Sequence, residues 1–346
     1  MYNTGNEIMN QHEALLKTME WFEKNGQVIK SFFAKNKQRK FFLIGSGSSN
    51  MLCKSAASLF SFCEATSSIA VTGGDYLIDP EAYAECIKDA IVIVPSRSGL
   101  TSEIVYSVRH IKQKYNAPVL TVTMKEDSDL EKVSDCTVVL PWAYDNSVCQ
   151  TRTVTNLYTA LMLVGALYSD DAALYEDIKK AVFANDKFKL DNKEALCAIA
   201  ARPWKNVIVL SDNVLSGIGE EGALAFSEIC QLPGHHFNLL DYRHGPMVLC
   251  GKETLVIMVV RPCETSRQME MVKDLLAKGC TLVTVSAQKE NIFDSALNIE
   301  ISGLDRLAAW GIPFVFVPQM LAYEKAMLLG VNPDAPQGLD PYILLK

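Results

Sequence analysis

Several protein classes are excluded by what this sequence lacks. None of its ten cysteines forms a C-x-x-C pair, and their scatter over 346 residues indicates reduced thiols rather than a disulfide framework or a zinc site. There is no cluster of Lys and Arg and the net charge is -7, so we expect no nucleic-acid partner. No apolar run reaches the length of a transmembrane helix, and the N-terminus lacks the apolar core of a signal peptide. We therefore expect a cytoplasmic protein without membrane contact.

A dinucleotide-binding fingerprint is also missing. The turn Gly45–Asn50 has Asn50 where the third glycine of G-x-G-x-x-G would stand, and no acidic residue follows at the usual spacing. We therefore expect no nicotinamide cofactor. No metal is expected either, because the adjacent His235 and His236 direct their rings to different sides of a strand or helix.

What the sequence does contain is an alternation of β-branched runs with amphipathic helical stretches, which is typical of parallel α/β units. The predicted strands are Lys40–Ile44, Ala90–Pro95, Val119–Thr123 and Cys136–Leu140 in a first set, and Val207–Leu210, Leu255–Val260, Leu282–Val285 and Ile299–Ile301 in a second. The second set follows the first at an offset of about 164 positions, which indicates a duplication. Arg97–Glu103 (RSGLTSE) and Arg261–Arg267 (RPCETSR) match at this offset. We predict two tandem α/β domains, each a doubly wound, flavodoxin-like parallel sheet flanked by helices.

The duplication divides the chain into five parts. We predict an N-terminal helical segment (1–36), a first domain (37–171), a helical connector (172–203), a second domain (204–330) and a C-terminal tail (331–346). Each domain is long enough to bury a core of its own. The N-terminal pattern predicts one helix over Asn6–Phe33, and the connector predicts another over Ala172–Ala200.

Hydroxyl residues at the end of one predicted strand are suited to bind an anion. The strand Ala90–Pro95 leads into S-R-S-G-L-T, in which Ser96, Ser98 and Thr101 supply hydroxyls and Gly99 lets the backbone approach a ligand. A predicted helix follows, and the free N–H groups of its first turn can join the hydroxyls around a phosphate. On this pattern alone the hydroxyls could equally well cap the helix.

A second turn of this kind, Gly45–Asn50, ends the strand Lys40–Ile44 and favours the anion site. The two segments together resemble the sugar-phosphate site of SIS (sugar isomerase) domains. The pattern is similar to that of the isomerase half of glucosamine-6-phosphate synthase and of its relatives without a glutaminase domain. The residues that this resemblance assigns to the phosphate are Ser49, Ser96, Arg97 (through its backbone), Ser98 and Thr101. Those that it assigns to the sugar are Gly47, Ser48, Val148, Gln150 and Thr151.

A carboxylate and an imidazole in the second half complete the pattern. Glu221, Ala225 and Glu228 fall on one face of a predicted helix, where burial can give a carboxylate the raised pKa of a general base. Sixteen positions after Glu228, His244 lies in the segment D-Y-R-H-G-P. Taken alone, Glu228 could be a solvated carboxylate and His244 a structural loop histidine. The resemblance implies instead that Glu228 moves a proton between C1 and C2 of the open-chain sugar. It also implies that His244 assists ring opening from a neighbouring subunit, in a homodimer or a larger assembly.

The sequence departs from the synthase at two lysines. The Schiff-base lysine of the family would fall at about Asp340 or Pro341, and Lys346 comes several residues too late. The lysine on the base helix is replaced by Ala225. No cysteine-led glutaminase segment is present, so we expect that ammonia from glutamine is not the input.

Three reactions on a phosphorylated sugar therefore remain open. They are deamination of an amino-sugar 6-phosphate, cleavage of a 6-phosphorylated fructosamine by a deglycase, and interconversion of a ketose and an aldose phosphate. The segment Val148–Thr155 favours the deaminase, whereas the missing lysine favours the deglycase. We predict an amine-releasing isomerase for an amino-sugar or ketosamine 6-phosphate. A non-catalytic sugar-phosphate sensor would need only the phosphate-binding turns, so the joint presence of Glu228 and His244 favours an enzyme.

Overall fold

The computed structural model describes residues 2–63, 66–263 and 265–345, so Lys346 lies outside the described residues. The helices are α1 Asn3–Met9, α2 Gln11–Lys35, α3 Ser48–Ser61, α4 Gly73–Ile78, α5 Ala84–Ile87, α6 Ser102–Tyr115, α7 Asp129–Val133, α8 Arg152–Ser169, α9 Ala172–Ala200, α10 Leu215–Ala225, α11 Thr265–Ala277 and α12 Leu307–Leu329. The strands are β1 Lys40–Gly45, β2 Ser67–Thr72, β3 Ala90–Ser96, β4 Val119–Thr123, β5 Cys136–Val139, β6 Asn206–Leu210, β7 Gly234–Phe237, β8 Thr254–Val260, β9 Thr281–Ser286 and β10 Leu297–Glu300.

The strands form two five-stranded parallel sheets with one topology. The first sheet has the order β2-β1-β3-β4-β5, and the second has the order β7-β6-β8-β9-β10. Because β6 to β10 repeat the order of β1 to β5, the predicted duplication into two doubly wound α/β units is confirmed. In this topology ligands bind where the strand order reverses. That point lies at the carboxyl ends of β1 and β3 in the first sheet, and of β6 and β8 in the second.

Both sheets share an inner layer of helices. One continuous apolar cluster contains residues of α2, α3, α8, α9, α10 and α12 together with the inner faces of both sheets. Smaller clusters cover the outer faces, with α6 on the first sheet and α11 on the second. The shared layer fixes the two halves against each other, so that side chains from both can contribute to one site.

The helix α12 corrects one sequence-based expectation. By length and composition alone it could cross a membrane, although we expected no apolar segment long enough to do so. In the structure 78% of its most apolar window is buried inside the protein, where it packs against α8, α9 and α10. An all-round apolar helix in this position is the core helix of a globular protein.

A close contact between α3 and α10 brings the second half to the first-half site. The backbone N–H of Ile218 donates to Ser55 Oγ at 2.9 Å, and Lys54 pairs with Glu220 at 2.6 Å. Gly217 makes this approach possible, because a Cβ there would lie 2.1 Å from the carbonyl oxygen of Met51. The first half of α10 is thereby held against α3.

Candidate active site

A cavity of about 160 Å³ opens where the strand order of the first sheet reverses, at the carboxyl ends of β1 and β3. The residues predicted for the site that line it are Gly47, Ser48, Ser49, Ser96, Arg97, Ser98, Thr101, Val148, Gln150 and Glu228. Thr151 and His244 do not line it. The cavity is completed by residues to which the sequence patterns assign no role in the site, namely Ser46, Glu103 and the tail residues Leu339, Asp340, Pro341, Tyr342 and Ile343. Among these, Asp340 and Pro341 lie at about the position of the Schiff-base lysine of the family.

Two helices begin at the floor of this cavity. The first turns of α3 and α6 follow β1 and β3 directly, so their free N–H groups and positive dipole ends face the same space. Ser96 Oγ accepts a hydrogen bond from the N–H of Gly99 at 3.0 Å, and Ser98 Oγ accepts one from the N–H of Leu100 at 3.2 Å. A hydroxyl that accepts still has its own hydrogen to donate. The serines can therefore stiffen the turn and donate to an anion at the same time.

The turn needs a glycine at position 99, because the backbone there is left-handed and leaves no room for a side chain. Gly99 has φ +61°, and a Cβ there would lie 2.5 Å from the side chain of Ser128. The left-handed conformation alone costs a residue with a Cβ about 1–2 kcal/mol. The turn therefore depends on Gly99 for both its conformation and its packing.

We expect Gly99→Ala to lower the free energy of unfolding and to weaken phosphosugar binding, because Ser128 and the turn would be pushed apart. Gly303 is a matched control, since it has φ +73° with no atom within 4 Å of its Cβ position in the described structure. Gly303→Ala should cost about 1–2 kcal/mol in chemical denaturation and leave binding unchanged. Equal effects of the two substitutions on binding would contradict this account of the turn.

The side chain of Arg97 has a structural function in addition to the backbone contact that is predicted for this residue. Its buried guanidinium donates to the carbonyl oxygens of Ser147 at 2.9 Å, Val148 at 3.1 Å and Pro341 at 2.6 Å. The side chain therefore ties two segments to the phosphate-binding turn. One is the loop 146–150, which is predicted to face the sugar (the sugar-facing loop), and the other is the C-terminal tail. The predicted backbone contact with phosphate stays a prediction.

The loop that carries Val148 and Gln150 is held from several sides. Asp145 accepts hydrogen bonds from the N–H groups of Thr151 at 2.8 Å and Thr153 at 2.9 Å. Thr151 is fully buried behind the loop, where its carbonyl oxygen accepts from Gln319 at 3.0 Å. Thr151 thus lies outside the cavity wall, and its predicted contact with the sugar would require the loop to open.

The N-terminal helix α1 also supports this loop. Glu7 accepts hydrogen bonds from the N–H of Asn146 at 2.6 Å and from the hydroxyl of Ser147. The Thr4 hydroxyl donates to Asp334 at 2.8 Å in the tail. Burial and the neighbouring Glu7 raise the pKa of Asp145 above its ordinary value. These supporting residues have no local sequence signal, since their partners lie far away in the chain.

Glu228 reaches the cavity from a π-helical turn, Phe226–Cys230, that follows α10. π-Turns widen a helix by one residue and are frequent at functional sites. Burial raises the pKa of Glu228 to about 7, and the opposing effects of Arg97 and of a hydrogen bond with Cys149 are smaller. One helical segment earlier, Glu221 is buried, and burial together with the nearby Glu228 raises its pKa well above the ordinary value. A carboxyl group that titrates near neutrality is suited to accept and return a proton.

His244 lies outside the cavity of its own chain. It follows the short 3₁₀ turn Asp241–Arg243 and is exposed, and Arg243 anchors the turn through an ion pair with Asp274 at 2.7 Å. The next 3₁₀ turn exposes Val248 and Leu249, which are 78% and 80% accessible. The role of His244 in the site of a neighbouring subunit stays a prediction.

Comparison with known protein families finds a match in the first half of the chain. Residues 36–169 match the SIS domain family. Residues 36–169 therefore form a SIS domain. The second half of the chain repeats the sheet order of the first, and the solved structures with which the chain aligns extend over both halves.

Relatives among known proteins match most of this chain. The glutamine–fructose-6-phosphate aminotransferase of Methanocaldococcus jannaschii is 27% identical over 263 residues, which are 72% of this chain and 23% of that protein. The chain spans about half the length, or less, of the first curated relatives that it matches.

Solved structures with the same fold extend over nearly all of the chain. Glucosamine-6-phosphate deaminase from Thermotoga maritima has a TM-score of 0.82 at 22% identity, and the alignment covers 99% of this chain and 100% of that one. Tagatose-6-phosphate ketose/aldose isomerase from Escherichia coli has a TM-score of 0.85 at 20% identity, covering 99% and 97%. At these identities the likeness establishes the tandem SIS fold.

Proposed function

We propose that this protein is a phosphosugar isomerase that acts on an amino-sugar or ketosamine 6-phosphate and releases an amine. The observation that carries the proposal is the placement of Glu228. This carboxyl group, with a pKa raised to about 7, lines the same small cavity as the hydroxyls and helix N-termini suited to phosphate. The names of the relatives given above each contain a phosphorylated sugar, which supports this substrate class.

The proposed chemistry begins with the phosphate on the floor of the cavity. Ser49, Ser96, Ser98 and Thr101 donate to its oxygens, and the backbone of Arg97 adds a contact. The sugar lies against a second group of residues that line the cavity, namely Gly47, Ser48, Val148 and Gln150. Glu228 then removes a proton from C1 or C2 of the open chain and returns it to the other carbon.

The two amine-releasing reactions share this proton transfer. With a 2-amino aldose, Glu228 takes the C2 proton and returns it to C1, which leaves a C2 imine that water hydrolyses to a ketose and ammonia. With a 1-amino ketose, it takes the C1 proton and returns it to C2, which leaves a C1 imine that water hydrolyses to an aldose and the free amine. Neither path needs a redox step.

A partner subunit belongs to this proposal. His244 is exposed beside the apolar Val248 and Leu249, which supports a subunit contact at this surface. We propose a cytoplasmic homodimer, or a larger assembly, in which His244 opens the sugar ring in the site of its neighbour. We also propose the domain bounds 1–36, 37–171, 172–203, 204–330 and 331–346, because each division falls between helices and strands.

A ketose/aldose phosphate isomerase is the second candidate. It would use the same phosphate-binding turns, 45–50 and 96–101 (the cradle), and the same base, Glu228, without amine release. The shared fold with the Escherichia coli tagatose-6-phosphate isomerase supports it. A panel of hexose, amino-sugar and ketosamine 6-phosphates, with ammonia, free amine and sugar isomer all measured, distinguishes the reactions. An isomer without any amine from every substrate would favour this second candidate.

The phosphate requirement gives a direct prediction. We expect calorimetry to detect binding of glucosamine 6-phosphate and fructose 6-phosphate, and to find glucosamine and fructose at least about a hundredfold weaker. The physical reason is that several charge-assisted hydrogen bonds would be lost, each contributing about 1.5–3 kcal/mol. Equal affinity for phosphorylated and dephosphorylated sugars would contradict the assignment of the cradle.

A further inference from the structure

The cavity wall is acidic, although its proposed ligand carries a phosphate. Three carboxylates line it, from Glu103, Glu228 and Asp340. Arg97 is the one basic side chain among the described residues that line it, and its guanidinium is already bound to three carbonyl oxygens. The phosphate would therefore be held by neutral hydroxyls and N–H groups, and the negative charge of the wall is left for another part of the substrate.

The three acids do not face the same part of the cavity. Glu103 lies in the first turn of α6 and accepts a hydrogen bond from Ser46 Oγ at 3.2 Å, which places it at the phosphate-binding turns. Glu228 is close to Cys149 and Arg97, on the side of the sugar-facing loop. Glu103 thus has its partner, Ser46, at the phosphate-binding turns, whereas Glu228 has its partner, Cys149, at the sugar-facing loop.

The path of the tail brings Asp340 near the sugar-facing loop, and Asp340 and Glu228 line the same cavity. The carbonyl oxygen of Asp334 accepts from the N–H of Val148 at 2.9 Å, and that of Pro341 accepts from Arg97. The carbonyl oxygen of Ile343 then accepts from the N–H of Ser102 at 3.2 Å, in the first turn of α6. The tail thus runs from the sugar-facing loop to the cradle. Asp340 directly precedes Pro341, which shares the Arg97 guanidinium with Ser147 and Val148, so the tail carries Asp340 beside the sugar-facing loop.

We propose that Asp340, together with Glu228, selects substrates that carry an ammonium group on C1 or C2. Two carboxylates at the sugar end of the cavity, without a free cation among the lining residues, would attract a protonated nitrogen there. A sugar without an ammonium group would bind more weakly, because it would lack this attraction. This inference rests on the proposed phosphosugar function and narrows it to cationic substrates.

The test compares two ligands that differ only at C2, glucosamine 6-phosphate and glucose 6-phosphate, by calorimetry at neutral pH. We expect wild-type protein to prefer the amine, and Asp340→Asn to reduce that preference by about two- to fivefold, the range for one exposed ion pair. Asp340→Lys should reduce it further, because like charges then repel. Asp340 is exposed, so neither substitution disturbs the core.

Matched measurements separate this proposal from the function on which it rests. Glu290→Gln, a charge removal at an exposed position away from the cavity lining, should leave the ratio of the two affinities unchanged. The same comparison with a 1-amino-1-deoxyfructose 6-phosphate and fructose 6-phosphate tests an amine on C1. If Asp340→Asn and Asp340→Lys keep the wild-type ratio in both pairs, the inference is wrong. The function would still stand if Glu228→Gln abolished proton exchange. Loss of all phosphosugar binding in wild-type protein would overturn both.

Discussion

Glu228→Gln is expected to abolish proton exchange at C1 and C2 of a bound phosphosugar. Removing a positioned general base typically costs about a hundred- to ten-thousand-fold in rate. The amide keeps the size of the side chain, so binding of the phosphosugar should change little. Exchange is measured by nuclear magnetic resonance in deuterium oxide with wild-type protein and the variant, and binding is measured by calorimetry.

A matched control for Glu228 is available on the same helix. Glu220 is paired with Lys54 at 2.6 Å on the surface, and Glu220→Gln should leave the exchange rate unchanged. The pH dependence adds a second criterion. Because burial raises the pKa of Glu228 to about 7 and the base acts in its ionised form, exchange should increase as the pH rises through about 7. Wild-type exchange in Glu228→Gln would remove this residue from the mechanism.

The proposed sharing of sites between subunits predicts recovery of activity from two inactive variants. His244→Ala and Glu228→Gln should each be strongly impaired as homodimers. A mixed dimer has one site that combines intact Glu228 from one chain with intact His244 from the other. Random assembly of equal amounts should therefore restore about a quarter of wild-type activity, since half of the dimers are mixed and each has one complete site.

The complementation is measured with the two variants co-expressed under different affinity tags, so that mixed dimers can be purified. Mixing them after folding, without subunit exchange, is the control and should give no recovery. If purified mixed dimers stay as inactive as their parents, His244 does not act across a subunit boundary. Its exposed position outside the cavity would then need another explanation.

The fold was largely readable from local patterns. The strand Val119–Thr123 and the helix Ala172–Ala200 have the predicted bounds, because each is a long run with one clear periodicity. The strands β2 and β7 were missed. Both lie at the edge of a sheet, and their apolar signal is weak because one side is left partly exposed. The predicted single N-terminal helix is divided at Asn10, between α1 and α2.

The site was predictable where neighbours in the chain are neighbours in space. The cradle turns met this condition, because Ser96, Ser98 and Gly99 act within one turn. Asp340 and Glu7 do not meet this condition. Asp340 lines the cavity and Glu7 supports its loop only because the fold brings them next to segments far away in the sequence. The π-helical turn at Glu228 could not be predicted either, because the sequence pattern of this segment indicates an α-helix throughout.

The anchoring of α1 to the tail has a consequence for how the protein folds. Thr4 and Asp334 are joined by a hydrogen bond although 330 positions separate them, and both hold segments that border the cavity. Contacts of such long sequence separation form slowly, because the entropy of closing the loop must be lost before they contribute. The cavity wall is therefore complete only once both ends of the chain have reached the folded sheets.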